Sequence, residues 1–478
     1  MRRTTRRDFL QEVGQAGLGV LATSAVLRGA APGEPAKSTK LNFLFILIDD
    51  MGWADLSCYG STYHESPVID RLAAQGMKFT DAYAAGPVCS PTRASILAGK
   101  YPARLHLTDF IPGHLRGWAK LIPAKIRHQL PAEETTIPEA LQPAGYVSGC
   151  FGKWHLGGRQ FGPTTQGFDV LGAGGRNLRD KRVTALTDQA IAFVGKNRDK
   201  PFFAYLSHHS VHIPLEAPRE LVEKYQARLK PGQKFPQQAN PTYAAMIEHL
   251  DKHVGRVLKE LDDLGLAGRT VVIFFSDNGG LKRIYTGRGQ IVTSNAPLRD
   301  EKGSLYEGGI RVPLIVRWPG VVKPGSVCRT PVTSVDFLPT ILEMAGTKAN
   351  ADPSVDGVSL VPLLKQSAPP RRDAIYWHYP HYHHTAPCGA VRAGDYKLIE
   401  YFEDGRLELY NLKDDISEKN DLARKLPDKA ADLRKKLDAW RKSVGALMPT
   451  PNPNHDPARA HEWGRRTRPK PKPKKPKP

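Results

Sequence analysis

Cysteine is scarce in this chain: Cys58, Cys89, Cys150, Cys328 and Cys388 are the only five among 478 residues. None is spaced C-x-x-C, which excludes the common zinc and dithiol motifs. Long apolar runs at the N-terminus are lacking too. The one candidate, Val13 to Val26, is short and glycine-rich, so no transmembrane anchor is expected. There is no internal repeat, which excludes a solenoid. Acid is under-represented: 48 Asp and Glu face 69 Lys and Arg, for a formal net charge of +21. Much of the excess sits at the ends. Arg465 to Pro478 carries eight basic residues and no acid, and the first 31 residues carry five Arg against Asp8 and Glu12, leaving about +10 for the body. The tail has no interleaved aromatics and no recognisable module, which argues against nucleic acid as a partner. A basic body suits a polyanionic substrate; a high pI without functional meaning is the alternative.

Hydrophobic residues at 40% and charged residues at 24% are enough for a packed core. The length suits one large domain and a smaller one. Residues 1–31 read as an export signal: Thr5-Arg6-Arg7-Asp8-Phe9-Leu10 resembles a twin-arginine motif, followed by the apolar segment and small residues near Ala30-Ala31. A periplasmic or secreted location follows as an expectation. An odd cysteine count in an exported chain leaves at least one thiol unpaired, with Cys89 the natural candidate; pairing among the other four stays open.

Residues 41–48 form a nearly continuous apolar run ending in Asp49-Asp50. Thr270 to Ser276 repeats the pattern and ends in Asp277-Asn278. Phe202 to Leu206 is a third such run, ending in Ser207-His208-His209. These predict buried parallel strands, whose carboxyl ends are where α/β sheets bind ligands. A helical stripe runs from Met246 to Leu264. The alternation predicts an α/β fold with a mostly parallel sheet. Beyond about 370 the texture changes. Ala390–Tyr401 and Leu407–Tyr410 around Gly405 predict a small antiparallel sheet, with a helix over about 429–444 and a disordered Pro/Lys-rich tail from 449. Domains are expected at 38–370 and 371–448.

Asp49, Asp50, Asp277 and Asn278 offer four hard oxygen donors, suited to Ca²⁺ or Mg²⁺. Each pair alone also suits a cap or turn after a strand. Cys89-Ser90-Pro91-Thr92-Arg93 places a proline in the first turn of a helix, with residue 89 at its start. Helix N-termini favour anions. Gly152-Lys153-Trp154-His155-Leu156-Gly157 places Lys153 and His155 on one side of an extended segment.

The run Cys89-x-Pro91-x-Arg93 resembles the signature of the type I, formylglycine-dependent sulfatases. Gly152 to Gly157, His212-Ile213-Pro214 and the block from Lys302 through Glu307-Gly308-Gly309 to Pro313 resemble further elements of that family. So do Asp336-Phe337-Leu338-Pro339-Thr340 and Asp356-Gly357. The likeness spans about residues 40–425, is similar to the arylsulfatase A and N-acetylgalactosamine-sulfatase branch, and departs only in Thr92, where serine is commoner. It implies an alkaline-phosphatase-like sandwich with an α+β C-terminal subdomain. It implies that a maturation enzyme oxidises Cys89 to formylglycine, which also joins the metal ligands. Arg93 then stabilises the nucleophile, Lys153 and His155 orient it, and His212 and Lys302 contact the sulfate. His208 and His209 compete with His212 for that role. The implied reaction is hydrolysis of sulfate esters, with a sulfated carbohydrate or aryl sulfate as substrate.

Tyr376 to His384 is dense in aromatics and imidazoles. His378, His381 and His383 are candidates to bind sugar, with core packing as the alternative. A phosphate or phosphonate ester hydrolase and an unmatured, non-catalytic sulfoglycan-binding protein are the competing functions. Removal of Arg465–Pro478 is expected to weaken retention on a sulfated polyanion at low salt. Unchanged retention would take the tail out of substrate contact.

Overall fold

A computed structural model describes residues 40–114, 116–172, 179–229, 239–284, 290–347 and 353–462. The signal-like segment and the end of the tail lie outside the described residues. The strands of the main sheet are β1 (Asn42–Ile48), β2 (Met77–Phe79), β3 (Val147–Gly152), β4 (Val170–Gly172), β5 (Phe202–Ser207), β6 (Thr270–Ser276), β7 (Leu314–Arg317) and β8 (Ser326–Cys328), and the three predicted apolar runs are β1, β5 and β6. The eight strands lie in the order β8-β2-β7-β6-β1-β5-β3-β4. The five strands from β6 to β4 run parallel to one another and β8 runs parallel to β2, while β7 runs antiparallel to both β2 and β6. The sheet is mostly parallel, as expected; the reversal of β7 leaves no mark in an apolar run read alone.

Every residue of β1 is buried, because both sheet faces are covered. Phe43, Phe45 and Leu47 pack with Ala94 and Leu97 of α1 (Cys89–Ala98) and with Phe337 and Ile341. Leu44, Ile46 and Ile48 pack with Leu186 of α2 (Val183–Lys196) and Val254 of α3 (Pro241–Asp263). Each such side chain contributes about 1.5–3 kcal/mol on burial. Helix α3 begins several residues before the apolar stripe predicted. Asn240 accepts from the amides of Thr242 and Tyr243, and Pro241 follows it as the first helical residue, a capping signal that apolar periodicity misses.

The register makes a site inevitable. Ile48 pairs with Ser276, Leu47 with Ser207, and Gly152 with Ser207. Four adjacent parallel strands, β6-β1-β5-β3, therefore end level. The residues that follow them, Asp277, Asp49, His208 and Lys153, emerge side by side.

A second, four-stranded antiparallel sheet runs in order β9 (Ile375–Tyr379), β10 (Cys388–Ala393), β11 (Tyr396–Tyr401), β12 (Leu407–Asn411). Helix α4 (Pro427–Ser443) packs on it through Leu433, Leu437 and Trp440. Its first strand comes from the aromatic stretch read as a sugar platform, so Trp377 and Tyr379 are core residues. The chain after 448 is not disordered at first: Thr450–Pro451 pairs with Leu121–Ile122, and the Asn452 amide donates to the carbonyls of Gly117 and Ala119. All five cysteines are unpaired.

A buried ion cluster locks this second sheet to the loop after Lys302. Lys397 Nζ donates to Glu307 Oε1 at 2.8 Å and to Glu418 Oε1 at 2.9 Å, with all three side chains inaccessible. Tyr83 and Arg311 also hold Glu307, and the Glu307 amide donates to Glu418. Replacing Lys397 by Met would leave two carboxylates buried together. A loss of about 3–5 kcal/mol in unfolding free energy is expected, read by urea denaturation; an unchanged midpoint would show that the cluster is not a structural tie.

Candidate active site

Residue 89 opens α1, as its Pro91 predicts, with Val88 as the extended residue before it. Its side chain is 2% exposed and lies at the centre of the charged cluster. Cys89 Sγ is 3.5 Å from Asp49 Oδ1 and 3.7 Å from Lys302 Nζ. Burial pushes the thiol up to about 12, with Lys153 and Lys302 pulling the other way, so the unmodified side chain is a neutral thiol at pH 7.

Each acid in the cluster has a cation. Lys153 Nζ is 2.6 Å from Asp49 Oδ2, and Lys302 Nζ sits 2.6 and 2.7 Å from the two Asp50 oxygens. Arg93 donates from Nε to Asp277 Oδ2 at 2.9 Å, and its Nη2 is 2.7 Å from the same oxygen. Its Nη1 reaches the Lys153 carbonyl and Ser207 Oγ. Burial works to raise the Asp49 carboxyl, but Lys153, His212, Arg93 and Lys302 outweigh it and hold it well below the ordinary range. Asp277 goes the other way: burial, then the charge on Asp49, lifts it to about 6. The Asp50 amide donates to Asp277 Oδ1, which joins the ends of β1 and β6.

Among the described residues, Asp49, Asp50, Cys89 and His212 present ligand atoms within 4.8 Å of one another. Asn278 belongs to the same cluster: its Nδ2 donates to Asp50 Oδ1 at 2.8 Å, while its Oδ1 is buried with no hydrogen-bond partner. An orphaned carbonyl oxygen beside three carboxylates is the donor set of a hard cation. His212 Nδ1 donates to the Ile213 carbonyl at 2.5 Å, which fixes the tautomer and turns Nε2 toward Asp50 Oδ2, 3.6 Å away. His208 is fully buried and His209 feels the charge of Asp49, but of the three competing rings His212 is the one that joins Asp49, Asp50 and Cys89 in the group of ligand atoms.

His155 reaches the site by a different route from the one expected. Strand β3 ends at Gly152, and His155 has φ +57°, so Lys153 and His155 do not alternate along a strand. Its Nε2 donates to the Ile111 carbonyl at 2.7 Å, while burial, then Lys153, lowers the ring to about 4. The three histidines of the aromatic stretch separate. His378 is buried, with Nε2 on the Leu447 carbonyl. His381 lines a cavity with Nε2 on Thr108 Oγ1. His383 stands edge-on to His114 and packs over Gly303, where a Cβ would come within about 2.0 Å of its Nδ1 and where φ is +83°. Ser207 and Ser90, which fix Arg93 and the Ile111 loop, went unseen because lone serines carry no spacing signal.

Comparison with known proteins agrees with this geometry. A family profile described as Sulfatase matches residues 41–347, most of the chain. The chain belongs to the formylglycine-dependent sulfatase family. As a sulfatase it is a sulfuric ester hydrolase, and its fold is that of the alkaline-phosphatase-like sulfatases. A second profile, N-sulphoglucosamine sulphohydrolase C-terminal, matches residues 300–443. A sulfatase of Formosa agariphila is 33% identical, over 84% of this chain and 88% of the relative. The N-acetylgalactosamine-6-sulfatase of Sus scrofa is 32% identical over 78% of this chain and 72% of its own length. The crystal structure of Ps i-CgsB in complex with k-i-k-neocarrahexaose aligns with a TM-score of 0.72 at 27% identity, covering 89% of this chain and 97% of the other. Among the described residues of this sulfatase no helix is long and apolar enough to cross a membrane.

Arg93→Lys keeps the charge but loses the guanidinium fork that positions Asp277. Sulfate ester hydrolysis is expected to fall about 100-fold or more in kcat, measured on an aryl sulfate. An unchanged kcat would show that Asp277 needs no such brace.

Proposed function

We propose that this sulfatase hydrolyses sulfate monoesters of carbohydrates with a formylglycine made from Cys89, and that Asp49, Asp50, Asp277 and Asn278, with residue 89, hold a divalent cation, Ca²⁺ or Mg²⁺. The observation that carries the reading is the place of Cys89: the signature residue lies between Asp49 and Lys302, inside the oxygen-rich cluster at the ends of β1 and β6. The orphaned Asn278 oxygen and the three clustered acids fit a hard cation.

When present, the cation polarises sulfate oxygens, and the hydrated aldehyde supplies one hydroxyl to attack sulfur and a second whose deprotonation releases inorganic sulfate. The chain's own groups do the rest. Lys153 and Lys302 are placed to neutralise the sulfate oxygens. Asp277, braced by Arg93, takes the proton of the attacking hydroxyl. His212 Nε2 or Lys302 Nζ hands a proton to the leaving sugar oxygen, and His155 receives the proton of the second hydroxyl through Nδ1, which is buried without a partner. A plain cysteine or serine lacks the second hydroxyl and would stall after the first step.

Several features support a sugar as the leaving group. Relatives include N-acetylgalactosamine-6-sulfatases, and a structural neighbour holds a neocarrahexaose. His383 packs over Gly303, next to Lys302, and His114 joins it to Phe110; His381 lies against Tyr379 in the neighbouring cavity, while His378 serves packing. Galactose or N-acetylgalactosamine sulfate is the substrate class we favour. Residues 1–31 are read as a twin-arginine signal for export to the periplasm or medium, 38–370 as the catalytic domain and 371–448 as the C-terminal subdomain.

The test is the mass of the tryptic peptide Phe79–Arg93 from protein matured in its own host. Formylglycine at position 89, together with sulfate release that Cys89→Ala and chelation each abolish, is expected. Unmodified cysteine in a host that matures other sulfatases would overturn the catalytic reading.

A further inference from the structure

Beside the charged cluster lies a cavity of about 420 Å³ lined by Asp109, Pro112–His114, Ile122–Ile126, His128 and His381. Its volume is in the range of small-molecule sites. Two hydrogen bonds tie its wall to the reacting centre. The Ile111 amide donates to Ser90 Oγ at 3.1 Å, one residue from Cys89, and the Ile111 carbonyl accepts from His155. A third link runs through His114 of the same loop. His114 stands edge-on to His383 at 4.6 Å, His383 contacts His384, and His384 bonds the Lys302 carbonyl. The cavity is therefore braced to residue 89, His155 and Lys302.

Its charge is uneven. Asp109 is the one acid in the lining, and its oxygens are consumed within the wall. Oδ1 accepts from the Phe110 amide and the Tyr379 hydroxyl, and Oδ2 from the amide and Nδ1 of His114. Those bonds and its burial turn Asp109 into a strut. They also fix the His114 tautomer, so Nε2 is the ring atom left for a ligand. Burial holds His381 neutral, at about 4. Lys125 and His128 are exposed, and among the described residues neither has a salt bridge. Pro112, Pro123, Ala124 and Ile126 supply the apolar remainder. The lining is thus an apolar floor with imidazoles and an unpaired ammonium at its rim, and no available acid.

We propose that this cavity holds the sugar that carries the scissile sulfate, and that Lys125, His128 and His114 select a substrate with a second anionic group, a sulfate or a carboxylate, on that sugar or its neighbour. The inference rests on the carbohydrate reading above and adds the class of glycan. An unsubstituted neutral sugar would leave Lys125 solvated at the rim and gain nothing from it. A second anion replaces that water with a charge-assisted hydrogen bond.

The experiment compares the matured enzyme on three substrates: an aryl sulfate, a monosulfated galactose or N-acetylgalactosamine, and disaccharides bearing the same ester plus either a second sulfate or a uronate carboxylate. The expected result is a KM roughly tenfold lower for a substrate with a second anion, with little change in kcat. In Lys125→Ala/His128→Ala that advantage should disappear, and the KM for the monosulfated sugar should move far less. Both positions are exposed, and a melting curve confirms that the variant is folded. His114→Gln, which keeps a polar side chain, should give part of the same loss. Whichever anion shows the advantage identifies its source. Equal KM values in the parent enzyme, or an advantage that survives the double variant, would overturn the proposal while aryl sulfate turnover leaves the catalytic reading intact. No turnover of any substrate by matured protein would instead overturn the catalytic reading, and this inference with it.

Discussion

Three carboxylates at the ends of two neighbouring buried strands repel one another, and the rest of the site is built around that fact. Asp49 and Asp277 emerge from paired strands that end in register, so the sheet forces them together. The chain answers with Lys153, Lys302 and Arg93, each drawn from a different element. The balance is uneven: burial and the field of Asp49 raise Asp277, while Asp49 itself stays ionised. That asymmetry distinguishes one acid from its neighbours before any ligand arrives. Residue 89 is neutral as cysteine, so its thiol adds no charge to a crowded cluster.

The same electrostatic demand reaches the second sheet. Lys302 can meet Asp50 only if its loop is held close, and that loop continues into Glu307, which Lys397 and Glu418 secure. Backbone contact supplies the other constraint. A Cβ on Gly279 would fall about 1.9 Å from the Gly308 carbonyl, so the Asp277 loop and the Lys302 loop touch main chain to main chain. The Gly279 amide donates to the Gly309 carbonyl across that contact. The C-terminal sheet is thus part of the means by which Lys302 is positioned.

What could be read from the chain follows from how local each signal is. Strand β1 and its acids, β6 and its acid–amide pair, and the helix opened by Cys89 each combine an apolar run or a proline with a short polar motif. Their physics is contained in ten residues, and the structure has them as expected. The reversal of β7 depends on its neighbours, which no short window contains. Alternation along an extended segment is the simplest geometry for Lys153 and His155; the structure instead has His155 in the left-handed region, with its ring on the Ile111 carbonyl. The aromatic stretch misled because Trp377 and Tyr379 fill a core and His378 is bonded to Leu447. The histidines that do approach the site follow the end of strand β9, where the period-two pattern no longer applies.

Chemistry and selection are carried by parts of different stiffness. Asp49, Asp277 and Lys153 sit at the level ends of hydrogen-bonded strands, where a displacement of one strand would disturb the register of its neighbours. The cavity wall comes from the 109–114 loop and the 122–128 segment, which connect to the sheet through a few bonds, such as Ile111 to Ser90 and to His155. Loops of this kind tolerate change without disturbing the scaffold. A chain that keeps Asp49, Asp50, Cys89, Asp277 and Lys302 in place can therefore vary its rim residues freely. Lys125 and His128, unpaired and exposed, cost the fold little, so their presence at the mouth of the cavity is better explained by what they bind than by what they support.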